Sequence, residues 1–183
     1  LPEELREALV SSVAEVREQA THVSWLAAED LFLNVKFLGG YHKRKAKVVK
    51  KALLEAASLS APFEVKISGF GCFPETGSPR VVWVGVQDKS LLLRSFVREC
   101  ESSFLSIGIE AASEAFVPHI VLGRATGKLP KGSGRLRKDV ARLSFDPVTL
   151  DVKEAVLVES RLSKEGPSYR VLEAVPLSAA IAR

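Results

Sequence analysis

One order of elements occurs twice along this chain: strand, helix, strand, strand, first from Leu31 to Val86 and again from His119 to Leu172. In the first run, residues 31–38 alternate and are rich in branched apolar side chains, which predicts a strand. The stretch from Lys43 to Ala57 turns helical through Val48, Val49, Ala52 and Leu53, with its lysines on the solvent face. Phe63-Glu64-Val65-Lys66-Ile67 alternates cleanly, and Val81-Val82-Trp83-Val84-Gly85-Val86 is continuously apolar, as a buried strand would be. In the second run, a strand at 119–124 leads through a Gly- and Lys-rich loop to a short helix near 134–142. A long strand near 149–161 follows, then a turn at Glu165-Gly166-Pro167 and a last strand near 168–175. Two further helices are expected. One spans 2–19, with Pro2, Glu3 and Glu4 suited to a first turn and Leu5, Leu9, Val13 and Val16 at helical spacing. The other spans 89–106 and stops at Gly108. The repeated order predicts a two-lobed α+β fold with internal pseudo-symmetry. No linker separates the halves, and 183 residues suffice for one domain with a substantial core.

Charge and cysteine content bound the partners and the compartment. The formal net charge is +4, from 26 basic and 22 acidic residues, a mild excess compatible with an anionic ligand. It is unevenly spread. Lys43, Arg44, Lys45, Lys47, Lys50 and Lys51 crowd one stretch, and Lys128, Lys131, Arg135, Arg137, Lys138 and Arg142 another. The first run reads as a solvated helix face or an RNA contact. The second follows the 119–124 strand directly, among Gly127, Gly132 and Gly134, and reads as a surface for a nucleic-acid backbone, with Lys131, Arg135 and Lys138 as the contacts. Cys72 and Cys100 have no metal-ligand spacing, and both are expected as thiols in or near the core, an incidental disulfide being the alternative. No apolar run approaches the roughly 20 residues that span a bilayer. Leu1-Pro2-Glu3-Glu4 opens a helix rather than a signal peptide, so the expectation is a cytoplasmic monomer with no membrane contact.

The chemistry is expected on two strands. Alternation places His119 and Val121 of Pro118-His119-Ile120-Val121-Leu122-Gly123-Arg124 on one face, opposite Ile120 and Leu122. The same rule puts Phe32 and Asn34 together, opposite Leu31, Leu33 and Val35. If the halves pack as pseudo-equivalents, the faces bearing Phe32/Asn34 and His119/Val121 meet across one cleft, with Phe32 and His119 on facing or adjacent strands that line one groove. Two imidazoles there would open a cyclic phosphate, one taking a proton from water and the other protonating the departing ribose oxygen. Arg124 would neutralise phosphate charge. The set is incomplete, because Phe32 has no titratable proton and Val121 no hydroxyl. Asn34 keeps only hydrogen-bonding capacity.

Asp30-Leu31-Phe32-Leu33-Asn34-Val35-Lys36-Phe37-Leu38-Gly39 and Pro118-His119-Ile120-Val121-Leu122-Gly123-Arg124 resemble the paired His-x-Thr/Ser-x motifs of the two-histidine phosphoesterase superfamily. The chain is most similar to the RNA 2′,3′-cyclic phosphodiesterases, historically called 2′-5′ RNA ligases. The likeness extends through Gly69-Phe70-Gly71-Cys72-Phe73-Pro74, Arg80-Val81-Val82-Trp83-Val84-Gly85-Val86 and Val158-Glu159-Ser160-Arg161-Leu162-Ser163-Lys164-Glu165-Gly166-Pro167-Ser168-Tyr169. It implies antiparallel sheets flanking a central groove, helices outside, and neither metal nor cofactor. It implies a substrate that is an RNA or nucleotide with a 2′,3′-cyclic or terminal phosphate. His119 falls on the second catalytic histidine and Arg124 on the motif's arginine. Phe32, Asn34 and Val121 fall on active positions with altered chemistry, so the resemblance implies weak or lost catalysis, the alternative being a non-catalytic binder of RNA ends. Relatives open with a short strand before Leu-Pro, and this sequence starts at Leu1-Pro2, so that strand is expected to be absent, either lying outside this sequence or lost from this member. Tyr41 and Phe70 are expected to stack a base or to pack. His42 either hangs over the groove entrance or sits on a surface loop, and His22 lies outside both motifs. Trp25 and Trp83 are expected to be structural.

Overall fold

A computed structural model describes residues 1–40, 46–125, 127–163 and 166–178. Its helices are α1 (Glu3–Ser12), α2 (Ala14–Gln19), α3 (Ala46–Ser58), α4 (Leu92–Leu105) and α5 (Arg135–Val140). Its strands are β1 (Val23–Trp25), β2 (Phe63–Phe73), β3 (Val81–Gln87), β4 (His119–Ala125), β5 (Val148–Val152), β6 (Glu154–Ser163) and β7 (Gly166–Pro176). Five strands form a sheet in the order β1-β4-β3-β2-β5, with β1/β4, β4/β3 and β3/β2 antiparallel; β6 and β7 form a separate antiparallel pair. The chain divides into two compact units.

The first unit contains Leu1–Asn34, Lys66–Gln87 and Pro118–Thr149. Leu5, Leu9, Val13 and Val16 are all buried, as their spacing predicts. The expected single helix is nevertheless two, interrupted at Val13. The Ser12 hydroxyl donates to Leu9 O at 2.7 Å, a side-chain bond that competes with the helical ladder. On one side of the sheet, Val23, Cys72, Val82 and Ala125 pack with Val16, Ala20, Leu136 and Val140, so α2 and α5 cover that side.

The second unit contains Val35–Val65, Asp88–Val117 and Leu150–Arg183. Here α3 buries Val49, Ala52, Leu53, Ala56 and Ala57, whereas Val48 is exposed. Its Lys50 pairs with Glu173 of β7 at 2.5 Å. The Asp88 carboxylate accepts the amides of Leu93 and Arg94 at the start of α4, serving donors that have no partner within the helix. Cys100 is a buried free thiol, pushed up to about 12 by burial and by the nearby Glu101 and Glu99 carboxylates. Cys72, in the first unit, is also free and buried.

Three further expectations change. Residues 31–38 do not form a strand; only Leu33 pairs, in a single antiparallel bridge with Ile120. Beyond Asn34 the segment is held by a side chain instead: Lys36 Nζ donates to Glu101 Oε2 at 2.6 Å and to Glu110 O at 2.9 Å. The long strand near 149–161 is β5 and β6, interrupted at Lys153, whose carbonyl accepts Leu177 N–H at 2.8 Å. Finally, the sequence halves are not the structural units, since each unit draws on both. Lys43, Arg44, Lys45, Tyr41 and His42 lie outside the described residues. No described helix is long and apolar enough to cross a membrane.

Candidate functional site

Strand β4 carries the histidine, and its two neighbours decide what surrounds it. On one side Gly85 pairs with His119, Val84 with Ile120 and Trp83 with Val121. On the other, Leu33 pairs with Ile120. Antiparallel register then sets Asn34 opposite His119 and Phe32 opposite Val121. Burial follows this alternation in part. Leu31, Ile120 and Leu122 are at 1%, 0% and 2% exposure, while Phe32 and His119 are half-buried and Asn34 is exposed; Val121 is itself buried and Leu33 is half-buried. The four motif positions therefore form a two-by-two tile on one face of one unit. Of the two expected arrangements, facing or adjacent, the structure has the adjacent one, with residues 32–34 laid beside β4 through the single Leu33–Ile120 bridge.

The tile's contents are one imidazole, one amide, one phenyl ring and one isopropyl group. Asn34 Nδ2 donates to Phe32 O, two residues back, at 3.5 Å. Phe73 of β2 sets its ring edge-on to His119, with centroids 5.1 Å apart and planes at 84°. Trp83 lies 6.3 Å from the imidazole and 5.2 Å from Phe73. These contacts pack the imidazole against two aromatic walls.

Sequence reasoning missed Phe73 and treated Trp83 as embedded in a wholly buried strand. The signal was there in period two. Val82, Val84 and Val86 are buried, whereas Val81, Trp83 and Gly85 stand on the other face, beside His119. Trp83 can lie flat there because the residue opposite it is Gly71. A Cβ at 71 would fall 2.2 Å from Trp83 Cζ2, so any larger residue would displace the indole. Trp83 Nε1 is buried without a hydrogen-bond partner among the described residues.

Arg124 reaches this face by a route that simple alternation does not show. Counting by twos from His119 puts residue 124 on the buried side. The register shifts between Val82↔Gly123 and Trp83↔Val121, so Leu122 is an extra residue, a β-bulge. The bulge reverses the alternation. Gly123 turns to the core side, where a Cβ would meet Val23 Cγ1 at 2.7 Å and Trp25 Cε3 at 3.0 Å. Arg124 then stands exposed on the His119 side, opposite Ser24 of β1 and Val81 of β3.

Other predicted residues are elsewhere. Phe70 does not join the site: it packs against the reverse-side cluster and meets Phe145 edge-on at 6.3 Å. A bulge between Ile67 and Phe70 sets its direction, with Gly69 at φ +71. Trp25 packs against the same cluster, as expected of a structural residue. Lys131, Arg135 and Lys138 are not beside His119, because α5 covers the reverse side through Leu136 and Val140. Arg135, Lys138 and Arg142 line a cavity of about 490 Å³ with Gly134 and Asp139, and Arg135 pairs with Asp139 at 3.4 Å. Arg137 turns away and donates to Pro74 O at 2.7 Å and Gly77 O at 3.1 Å. Burial raises the Cys72 thiol's pKa, partly offset by that guanidinium. Asp30, preceding the tile, is also raised, first by burial and then by Glu29. Among the described residues no three His, Cys, Asp or Glu side chains are grouped as metal ligands would be.

Comparison with known proteins bears on the family and the fold. The model of the 2′-5′ RNA ligase superfamily matches residues 1–163. A Thermus thermophilus protein named RNA 2′,3′-cyclic phosphodiesterase is 31% identical over 94% of this chain and 84% of its own. One of the same name from Aquifex aeolicus is 29% identical over 81% and 79%. A crystal structure of a Thermus thermophilus protein superposes with a TM-score of 0.79 at 27% identity, covering 98% of this chain and 94% of that one. Escherichia coli LigT complexed with 3′-AMP shares the fold, with a TM-score of 0.72 at 21% identity, covering 97% and 93%. With a motif tile on β4 and its neighbour, and a family match over most of its length, the chain belongs to the 2′-5′ RNA ligase superfamily.

Proposed function

We propose that this protein binds RNA or nucleotide ends bearing a 2′,3′-cyclic or terminal phosphate and turns them over weakly or not at all. The observation that carries this reading is the tile itself. His119 supplies one proton-transfer group, and the positions paired around it, Phe32, Asn34 and Val121, supply none. A phosphate can be held by one imidazole with help from amide donors, but opening a cyclic diester draws on both a general acid and a general base. The curated names of the relatives support the substrate class. The reading includes a cytoplasmic monomer, and two free buried thiols fit a reducing compartment.

The test pairs hydrolysis of nucleoside 2′,3′-cyclic phosphates with calorimetric binding of the same compounds. Wild type is expected to bind them while turning over about 10²–10⁴-fold more slowly than active relatives. His119→Ala should weaken binding about ten-fold or more, the usual worth of a charge-assisted hydrogen bond. A wild-type rate equal to that of active relatives overturns the reading, and so does unchanged affinity in His119→Ala.

The RNA beyond its end is given a separate surface in this reading, the basic flank of α5. Lys131, Arg135 and Lys138 are exposed, and flexible cations read phosphates rather than bases. Replacing all three by Ala should flatten the log–log salt slope of single-strand binding by about 2, at roughly 0.7 per lost phosphate contact. Mononucleotide affinity should hold, since α5 covers the reverse side of the sheet. An unchanged slope removes this surface from the RNA path.

A further inference from the structure

We infer that Arg124, with Ser24 beside it, holds the phosphate preceding the terminal one, so that the ligand is an RNA end of at least two nucleotides. This rests on the phosphate-end reading of His119 and adds the length of the ligand. Three observations carry it. First, the bulge at Leu122 turns Arg124 to the same face as His119. Second, the two residues are far apart along β4. Five positions less one bulge residue, at about 3.3 Å each, separate their Cα atoms by about 13 Å. Strand side chains stand roughly perpendicular to the sheet, so the imidazole and the guanidinium remain separated by a similar distance. One phosphate does not satisfy both; two successive phosphates of one strand, lying along β4, do. Third, the place is unclaimed. Arg124 and Ser24 are both exposed, no carboxylate pairs with Arg124 among the described residues, and register puts the serine hydroxyl directly across from it. A fork of guanidinium donors next to a hydroxyl donor is a phosphate-binding chemistry.

The same geometry explains why a guanidinium follows the histidine by five residues. Without the bulge, the fifth position would point into the core. With it, the strand presents two anion-binding groups on one face with only Val121 between them, and Val121 is 3% exposed. A ligand lying on this face meets His119, then apolar surface, then Arg124.

Three probes test the inference: a nucleoside 2′,3′-cyclic phosphate, a dinucleotide with the same cyclic end, and that dinucleotide with a neutral methylphosphonate at its internal linkage. Wild type is expected to bind the charged dinucleotide about ten-fold tighter than the mononucleotide. The methylphosphonate should lose that gain. Arg124→Ala should lose it too, with a much smaller effect on the mononucleotide, and Arg124→Lys should recover part of it. His119→Ala should weaken mononucleotide and dinucleotide alike. If Arg124→Ala weakens both ligands equally, Arg124 shares the terminal phosphate and the inference falls while the phosphate-end reading stands. If the internal charge adds affinity through Arg124 but His119→Ala changes nothing, the phosphate-end reading falls, and with it the placement of Arg124 on the phosphate next to the terminal one. If no probe binds wild type, both fall.

Discussion

A chain carrying Phe32→His, Asn34→Thr and Val121→Thr together is expected to hydrolyse nucleoside 2′,3′-cyclic phosphates about 10²–10⁴-fold faster than wild type, the usual worth of one restored acid–base group. The register explains why the four positions must be considered together. Position 32 lies opposite 121 and position 34 opposite 119, so the two imidazoles would sit on a diagonal. Diagonal neighbours across antiparallel strands are roughly 7–8 Å apart, which leaves room for a phosphate between the rings. Each threonine would stand beside one imidazole and offer a hydroxyl to the non-bridging oxygens. Exchanging a half-buried phenyl ring for imidazole loses some packing and buries a polar group, so a modest fall in stability accompanies the gain. Steady-state hydrolysis with each single and double variant checks the interdependence. A folded triple variant that binds the cyclic nucleotide without faster turnover would show that the site has changed beyond these side chains.

The second large effect is on stability. Lys36→Ala is expected to cost about 3 kcal/mol, toward the lower end for breaking a buried ion pair because one partner keeps some contact with water. The Lys36 side chain is 3% exposed and Glu101 is 23% exposed, with their charges 2.6 Å apart. Glu101 also accepts the Ala112 amide at 3.4 Å, and Lys36 donates to the Glu110 carbonyl, so one ammonium ties the segment after Asn34 to α4 and to the chain beyond it. Against a total stability of order 5–15 kcal/mol, such a loss lowers the urea midpoint substantially. Lys36→Met with Glu101→Leu should recover much of it, since an apolar pair leaves no charge unpaired. A midpoint unchanged in Lys36→Ala would mean that the pair contributes nothing net.

Much of the local structure was legible before any coordinates. Leu5, Leu9, Val13 and Val16 line a buried helical stripe because helix period is a property of neighbouring residues alone. The same holds for the faces of residues 31–34 and 119–121, where period two places Leu31, Leu33 and Ile120 on one side and Phe32, Asn34, His119 and Val121 on the other. The absence of a second motif histidine is a fact of composition at position 32, and so is the loss of a hydroxyl at 121.

The rest depended on partners distant in sequence. A continuously apolar run such as 81–86 does not say which face meets solvent; pairing with Gly71 and Val121 set Trp83 beside the imidazole. Phe70 and Arg124 were both redirected by bulges, and a bulge is visible only when two strands are laid in register. Residues 31–38 had the pattern of a strand but not a neighbour along its length, so only Leu33 paired while Lys36 turned to the half-buried Glu101 carboxylate. The sequence by itself determined most of the elements, their core stripes and the chemical groups available, because these follow from local periodicity and side-chain identity. Only the tertiary structure decided which groups share a face and at what separation, because strand register and bulges are set by hydrogen bonds between segments far apart in the chain.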